Sequence, residues 1–486
     1  MMKGRMYVFK AGITSIGAYV PYYYISRKTI GGAWNAGGSK GTRSLVNFDE
    51  DSVTLAWEAA EESFRFVDRN SVDALYFAST TAPYAEKSHA GLVATALNLK
   101  RNVFTADFAQ CTKAATSALR LALDSVSAGS FKTAVVTAAD CRNAYPKTSS
   151  EQMFGDASAA VCVGTEGVVA SVDAFATCTN EITDIWRNAG ENYIHLAEGR
   201  FVTTHGYMTE MVKAVKDVMA AAGVTADDIA KFVFTTSGAK DHLSLAKKLK
   251  INAEKVQDPF MADIGYTGTA QPLFLLAAAL ETAKPGDKIL LAAYGNGADA
   301  YIFTVTDEIA KVQKNGIARL MAARGEVTSY AQFLSYRGLL HADPGQPYQI
   351  KSSTAAEWRL QDTFIRCLGS KCKKCGLSSF PVQRVCDECG SLDDYETFRA
   401  PDRTCKIFTY TLDNYAGRSD FPLVGQIVAE DSEGTRYYMN TTDFKREDVA
   451  IGTELEFTFR KVHELGDFVN YYWKLRPLRR HEGGND

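Results

Sequence analysis

VDALYFAST (72–80) and IAKFVFTTS (229–237) are two versions of one segment, 157 positions apart. Each is a short apolar, β-rich run ending in small hydroxyl residues, and each follows a helical stretch (52–67 and 207–222). A further strand follows in each half, TAVVTA (133–138) and KILLAAYG (288–295), and FGDASAAVCVG (154–164) matches YGNGADAYIFT (294–304). A repeat of about 155 residues is longer than any solenoid period. Alternating strands and helices specify an α/β protein of two related halves, which we place at 1–165 and 166–310.

The halves also share a helix. Cys111 opens CTKAATSALRLAL, and Gly268, 157 positions on, opens GTAQPLFLLAAAL. Both stretches (111–127 and 268–283) are apolar and rich in small residues, so both read as buried helices. A pseudo-twofold relation brings their starts to one centre, a natural place for a site. Cys111 follows the strand NVFTADF (102–108) and is the candidate nucleophile. The N–H groups and dipole of a helix start stabilise a thiolate and lower its pKa, and the same N–H groups can hold an oxyanion. The competing reading is a core cysteine, which we assign to Cys141, Cys162 and Cys178.

With 46% hydrophobic and 23% charged residues among 486, the chain is neither disordered, collagen-like nor a small disulfide scaffold. A net charge of −3 does not suit a protein dominated by binding to a phosphate backbone. The run IGYTGTAQPLFLLAAAL (264–280) is too short and too polar to span a membrane. The first twenty residues lack a continuous apolar region and a small-residue cleavage site, so no signal peptide is expected. A cytoplasmic protein without membrane or nucleic-acid partners is the expectation.

Residues 311–365 read as a linker with some helix. Beyond it, KCKKCG…RVCDECG spaces Cys372, Cys375, Cys386 and Cys389 as two CxxC knuckles, each followed by glycine. Four thiolates converging on one tetrahedral ion indicate structural Zn²⁺, with no open position for catalysis. We assign 366–395 to a zinc ribbon. Short alternating segments such as KIFTYTLDNY, TRYYMNTTDF and ELEFTFRKV make 396–486 a small all-β, OB-like barrel. Its aromatics (Tyr410, Tyr415, Tyr437, Tyr438, Tyr471, Tyr472, Trp473) are read as core, since residues 366–486 hold 18 basic against 20 acidic side chains and no basic excess for nucleic acid.

In this order and spacing, AGITSIGAYVPYY (11–23), FAQCTKAATSAL (108–119), FGDASAA (154–160), DIWR (184–187), IGYTGTAQPL (264–273) and LLAAYGNGADA (290–300) resemble the thiolase superfamily. Within it they are most similar to hydroxymethylglutaryl-CoA synthase and ketoacyl-acyl-carrier-protein synthase III. The tail from about 330 resembles the zinc-ribbon/OB-fold proteins associated with acyl-CoA-condensing enzymes. The resemblance implies an internally duplicated thiolase-like fold, a homodimer, and an acyl-CoA acyltransferase that forms or cleaves a carbon–carbon bond. Coenzyme A thioester is the implied substrate and Cys111 the acyl carrier, with oxyanion donors at Cys111 and at the turn containing Asn296 and Gly297. It also implies an acid/base Glu where this chain has Thr80, a His where it has Thr235, and an Asn near Asp263–Gly265. A Thr hydroxyl donates a hydrogen bond but is no base near neutral pH. Asp263 and His89 are the candidates for the displaced acid–base work, ahead of His205 and His242. The competing functions are thiolase-like cleavage or acyl transfer on an unusual acyl-CoA, and a non-catalytic acyl-CoA-binding scaffold.

Overall fold

The computed structural model describes residues 9–340, 353–414, 423–464 and 468–479, apart from Gln110, Ala239, Gln313 and Asn315, with backbone alone at 463–464. Tyr415, His341, His481 and the side chain of His463 lie outside the described residues. The chain divides into two units, one of Met1–Val46, Asp51–Ala94 and Leu99–Phe333, the other of Asn47–Glu50, Thr95–Asn98 and Leu334–Asp486. No helix among the described residues is long and apolar enough to cross a membrane.

In the first unit, nine strands form one sheet: β1 (Gly12–Tyr19), β2 (Val72–Ala78), β3 (Phe104–Phe108), β4 (Thr133–Asp140), β5 (Ala157–Gly164), β6 (Ala170–Thr179), β7 (Lys231–Phe234), β8 (Lys288–Tyr294) and β9 (Gly297–Val305). Continuous apolar strands such as ASAAVCVG in β5 are buried along their whole length, as a strand covered on both faces must be. β1 and β6 meet at the centre through Gly12–Ser171 and Ile13–Ala170. Outward from that join the order is β1-β5-β4-β2-β3 on one side and β6-β9-β8-β7 on the other. β2 runs parallel to β4, as β7 does to β8, while β5 and β9 are antiparallel to their neighbours. Phe232 of β7 bridges Val256 in parallel, at the place β3 takes beside β2. The internal repeat is therefore written into the order and direction of the strands.

Four helices matter for the site: α1 (Ser52–Ser63), α2 (Ala114–Ser127), α3 (Met208–Ala222) and α4 (Gln271–Thr282). α2 and α4 contribute to one apolar core, and every residue of α4 from Gln271 to Leu280 is buried. The first begins three residues later than the sequence pattern suggests, whereas in the second half a 3₁₀ turn, Gly268–Ala270, opens on the expected residue and runs into α4. The residue before the first turn of each, Lys113 (φ −94°, ψ 7°) or Thr267 (φ −99°, ψ 18°), is non-helical, though the two are not equivalent positions of the repeat. The reading of 311–365 as linker also needs correction. Gly325–Val327 is a strand paired in parallel with Tyr23–Ile25, and the first unit continues to Phe333. A three-residue strand whose partner lies some three hundred positions earlier leaves no local pattern.

The second unit holds a three-stranded sheet and a five-stranded one. The first places β10 (Leu368–Cys372) between β11 (Ser378–Ser379) and β12 (Tyr395–Arg399). The second comprises β13 (Cys405–Asp413), β14 (Val424–Asp431), β15 (Arg436–Asn440), β16 (Glu454–Glu464) and β17 (Val469–Pro477), in the all-antiparallel order β15-β14-β13-β16-β17. Tyr437, Tyr471 and Trp473 are core as expected, but Tyr438 is 67% exposed and Tyr410 is exposed too. The period of two explains this, because neighbours along a strand point to opposite faces.

These strands carry a largely buried charge cluster. The Arg460 guanidinium meets Asp49 at 3.1 Å, Glu50 at 2.9 Å and Asp443. Lys474 holds Asp49 at 2.8 Å, and Arg476 holds Glu456 at 2.7 Å. Burial pushes the Glu50 carboxyl up to about 7 against the pull of Arg460. Burial also works to raise Asp49, yet Lys474 and Arg460 hold it below the usual carboxylate range. Between about pH 4.5 and 7 the folded state keeps the Glu50 proton that the unfolded chain has lost, so this group's contribution to stability falls as pH rises through that window. Glu50→Gln should flatten the slope, which amounts to up to about 3 kcal/mol. Urea midpoints at pH 5 and pH 8 check this: the wild type should lose more than the variant, and equal losses would mean that Glu50 is ionised throughout.

Candidate active site

Cys111 stands in a bend after β3, half-buried, three residues ahead of α2. The backbone N–H groups of Lys113 and Ala114 face its sulfur, as a helix start provides. Burial nevertheless outweighs them and pushes the thiol up from its ordinary value, with the Lys113 ammonium pulling it down and the Asp299 carboxylate pushing it further up. The expectation of a depressed thiol is thereby corrected: the sequence shows the helix start but not the desolvation.

The segment after the cysteine is fastened to the other half. Thr112 Oγ1 donates to the Tyr294 carbonyl at the end of β8 at 2.8 Å. Gly295 is pressed so closely against this segment that a Cβ there would lie 2.8 Å from both Lys113 N and Thr112 Oγ1. The turn Tyr294–Gly297 thus abuts the cysteine loop. Asn296 adopts a left-handed backbone (φ 47°), and its side-chain amide donates to the Ile182 carbonyl at 3.1 Å. An oxyanion donor from Asn296 or Gly297 would accordingly be a main-chain N–H.

The pseudo-twofold supplies the reciprocal tie. Thr269 N, at the start of the second central helix, donates to Asp140 Oδ2 at the end of β4 at 2.7 Å. Asp140 is fully buried and also accepts from Thr80 N (2.7 Å), Thr80 Oγ1 (2.8 Å), Ser79 Oγ (3.1 Å) and Thr81 Oγ1 (3.2 Å). Thr80 is therefore a fixed donor to a carboxylate, and its carbonyl accepts from Arg187 at 2.8 Å. Thr235 Oγ1 accepts from Tyr294 N at 3.1 Å and so holds the first residue of the glycine turn. Thr80 is thus anchored on Asp140, and Thr235 holds the turn that abuts the cysteine loop. Tyr266 is buried beside Thr112 and Arg142, and burial pushes its phenol up, so that it stays a protonated donor.

Two candidates are corrected. His89 Nδ1 lies 2.8 Å from Asp107 Oδ2, its Nε2 accepts from Tyr84 N at 3.2 Å, and its ring stacks on Phe77. Both ring nitrogens are engaged in holding the start of its own helix, which leaves none for proton transfer. Asp263 has an exposed side chain in a turn, and it is its carbonyl that is used, by Thr42 Oγ1 at 2.7 Å and Arg324 Nη1 at 3.1 Å. Of the other histidines, His205 lies in a single π-helical turn, Val202–Tyr207, and His242 is buried, with burial pushing its imidazole down. Asp140, Asp299, Lys113 and Tyr266 were not found from sequence. The available signal was a lone acid within an apolar strand, TAAD (137–140) and GADAYIFTV (297–305).

A duplicated α/β body, with a cysteine set before one buried central helix and pressed by a glycine turn of the other half, defines a thiolase-like condensing enzyme. Solved structures share the fold: a hydroxymethylglutaryl-CoA synthase complexed with CoA (TM-score 0.61, 21% identity, 71% of this chain and 95% of that one) and 3-oxoacyl-(acyl carrier protein) synthase III from Pseudomonas aeruginosa (TM-score 0.56, 21% identity, 61% and 98%). Residues 219–305 match the family described as 3-oxoacyl-[acyl-carrier-protein (ACP)] synthase III C terminal. Hydroxymethylglutaryl-CoA synthase of Pyrobaculum arsenaticum is 32% identical over 345 residues (68% of this chain, 99% of that protein), and that of Archaeoglobus fulgidus 31% over 343 residues (68% and 99%). The chain belongs to the hydroxymethylglutaryl-CoA synthase family, and it is an acyl-CoA-condensing acyltransferase.

Gly295→Ala checks the close approach of the halves. The added methyl would force the turn away from Thr112 and Lys113, with an expected stability cost of about 1–3 kcal/mol and a marked loss of cysteine acylation. Thermal midpoint and acylation rate read the two effects, and wild-type acylation would show that the approach is not needed.

Proposed function

We propose that Cys111 takes an acyl group from one acyl-CoA and passes it to the α-carbon of a second. The observation that carries this reading is the joining of the Cys111 loop to the Tyr294–Gly297 turn by the Thr112–Tyr294 hydrogen bond. The Cys111 sulfur attacks the thioester carbonyl, the carbon–sulfur bond to CoA breaks, and the proton of the cysteine leaves with CoA as its thiol. The main-chain N–H groups of Cys111 and of Asn296 or Gly297 in the glycine turn would hold the oxyanion. Thr80 and Thr235 position the loops, Asp140 gathers the first of them, and the Tyr266 phenol is a neutral donor beside the site. Neither threonine supplies a base, which favours an acyl-transfer or condensing reaction whose base differs from the Glu and His implied by the family resemblance. A homodimer through this body belongs to the same reading. Intact-protein mass spectrometry with acetyl-CoA and longer acyl-CoAs tests it: wild type should gain one acyl mass, and Cys111→Ala none. An adduct that persists in the Ala variant would overturn the assignment. A native-like Cys111→Ala that retained full turnover would mean that the covalent mechanism is wrong.

The four ribbon cysteines fit a structural zinc ion. Their sulfurs all lie within 4.8 Å of one another, with Cys372–Cys389 at 3.7 Å and Cys375–Cys386 at 3.4 Å. A tetrahedron with Zn–S distances of about 2.3 Å has edges close to these. The two knuckles have the same backbone: Gly376 N donates to the Cys372 carbonyl and Gly390 N to that of Cys386, both at 2.9 Å, with each glycine at positive φ (81° and 66°). Cysteine ligation here would tie the 366–395 ribbon together beside the OB-like strands of 396–486. Elemental analysis should give one zinc per chain, and Cys372→Ser should release it while leaving Cys111 acylation measurable. Zinc well below one per wild-type chain would contradict the site.

A further inference from the structure

We propose that Lys113 is a positioning residue which, paired with Asp299, sets the ionisation of the Cys111 sulfur. The inference rests on Cys111 as the acyl carrier. Lys113 stands two residues after the cysteine, immediately before α2, and its Nζ lies 3.2 Å from Asp299 Oδ1. The two side chains are only 12% and 3% exposed. Asp299 also accepts from Thr116 Oγ1 at 2.8 Å and Thr177 Oγ1 at 2.7 Å, so three elements, α2, β6 and β9, fix the carboxylate.

A buried ion pair adds little net stability over apolar side chains of similar size. Charge in the otherwise apolar strand GADAYIFTV therefore calls for another reason. The neighbouring sulfur supplies one. The charged groups acting on Cys111 are Lys113 from α2, favouring the thiolate, and Asp299 from β9, opposing it. In the thiolate state the ammonium has two anions to face. Once the sulfur carries a neutral acyl group, Asp299 alone compensates Lys113, and no unpaired cation is left buried. The pair thus favours the nucleophile without penalising the acyl-enzyme.

The test is the pH profile of Cys111 alkylation by iodoacetamide, read by peptide mass spectrometry on the full chain. Lys113→Met should move the midpoint up by about one pH unit, hence about tenfold slower alkylation at pH 7.5, while Lys113→Arg should restore the wild-type profile. Asp299→Asn should move it the other way and speed alkylation. An unchanged profile in a folded Lys113→Met protein overturns the proposal, as do shifts of the same sign in Lys113→Met and Asp299→Asn. Should Asp299→Asn not fold, the Met and Arg variants of Lys113 decide alone. Alkylation reads the thiolate whether or not acyl-CoA is used, so a wild type that takes no acyl group would refute the acyl-carrier reading and leave the charge pair separately measured.

Discussion

Ten consecutive buried residues at the start of α4 are the constraint from which the first unit is built. An amphipathic helix can lie on the surface of one sheet, but a helix apolar all round has to be enclosed. Burial of each of its Leu and Phe side chains contributes roughly 1.5–3 kcal/mol. Enclosure brings in α2, whose Ala and Leu residues share the same core. The helices cannot be covered in this way without carrying their first turns to the strand ends of the opposite half. Thr112 then reaches the end of β8 and Thr269 N the end of β4, and these are the two equivalent strands of the repeat. The site is a consequence of enclosing the helices.

This explains what the sequence discloses and what it hides. The fold is legible because duplication prints the same strand string twice, and Cys111 is legible because its counterpart, Gly268, opens the matching helix. The side chains around Cys111 come from across the twofold, and their partners have no local pattern. Asp140 and Asp299 read as ordinary strand residues until Thr80, Thr269, Thr116 and Thr177 arrive around them. His89 lies near Thr80 in sequence, but Asp107, 18 positions on, takes its ring. Nothing in DIGYTG (263–268) announces that the Asp263 carbonyl is the acceptor for Thr42 and Arg324.

The second unit solves a different problem, fixing five antiparallel strands that bury charge as well as an apolar core with Phe457, Phe459 and Trp473. Part of the answer is polar: Arg460 and Arg476 have no exposed surface, and Asp49, Glu50, Asp443 and Glu456 surround them. Such a cluster is indifferent to the addition of stability but intolerant of the loss of one member, because the remaining charge is left buried. It fixes the strands that carry it. Asp49 and Glu50 come from a tetrapeptide far earlier in the chain, which no reading of 396–486 alone would have supplied.

The raised thiol of Cys111 and the threonines at 80 and 235 are compatible with the proposed acyl transfer. Exchange of an acyl group between two thiols is proton-neutral overall: the proton that Cys111 gives up is the one that CoA needs on leaving. A thiol pushed up by burial lowers the resting thiolate fraction, but it does so by desolvation, which also makes the thiolate that forms a less solvated nucleophile, and a nearby ammonium offsets part of the penalty. What exchange does need is a held carbonyl, which the proposed reading assigns to main-chain N–H groups of the joined loops. A base is required only when carbon is deprotonated. In the proposed reaction, acyl exchange therefore asks for no base from Thr80 or Thr235.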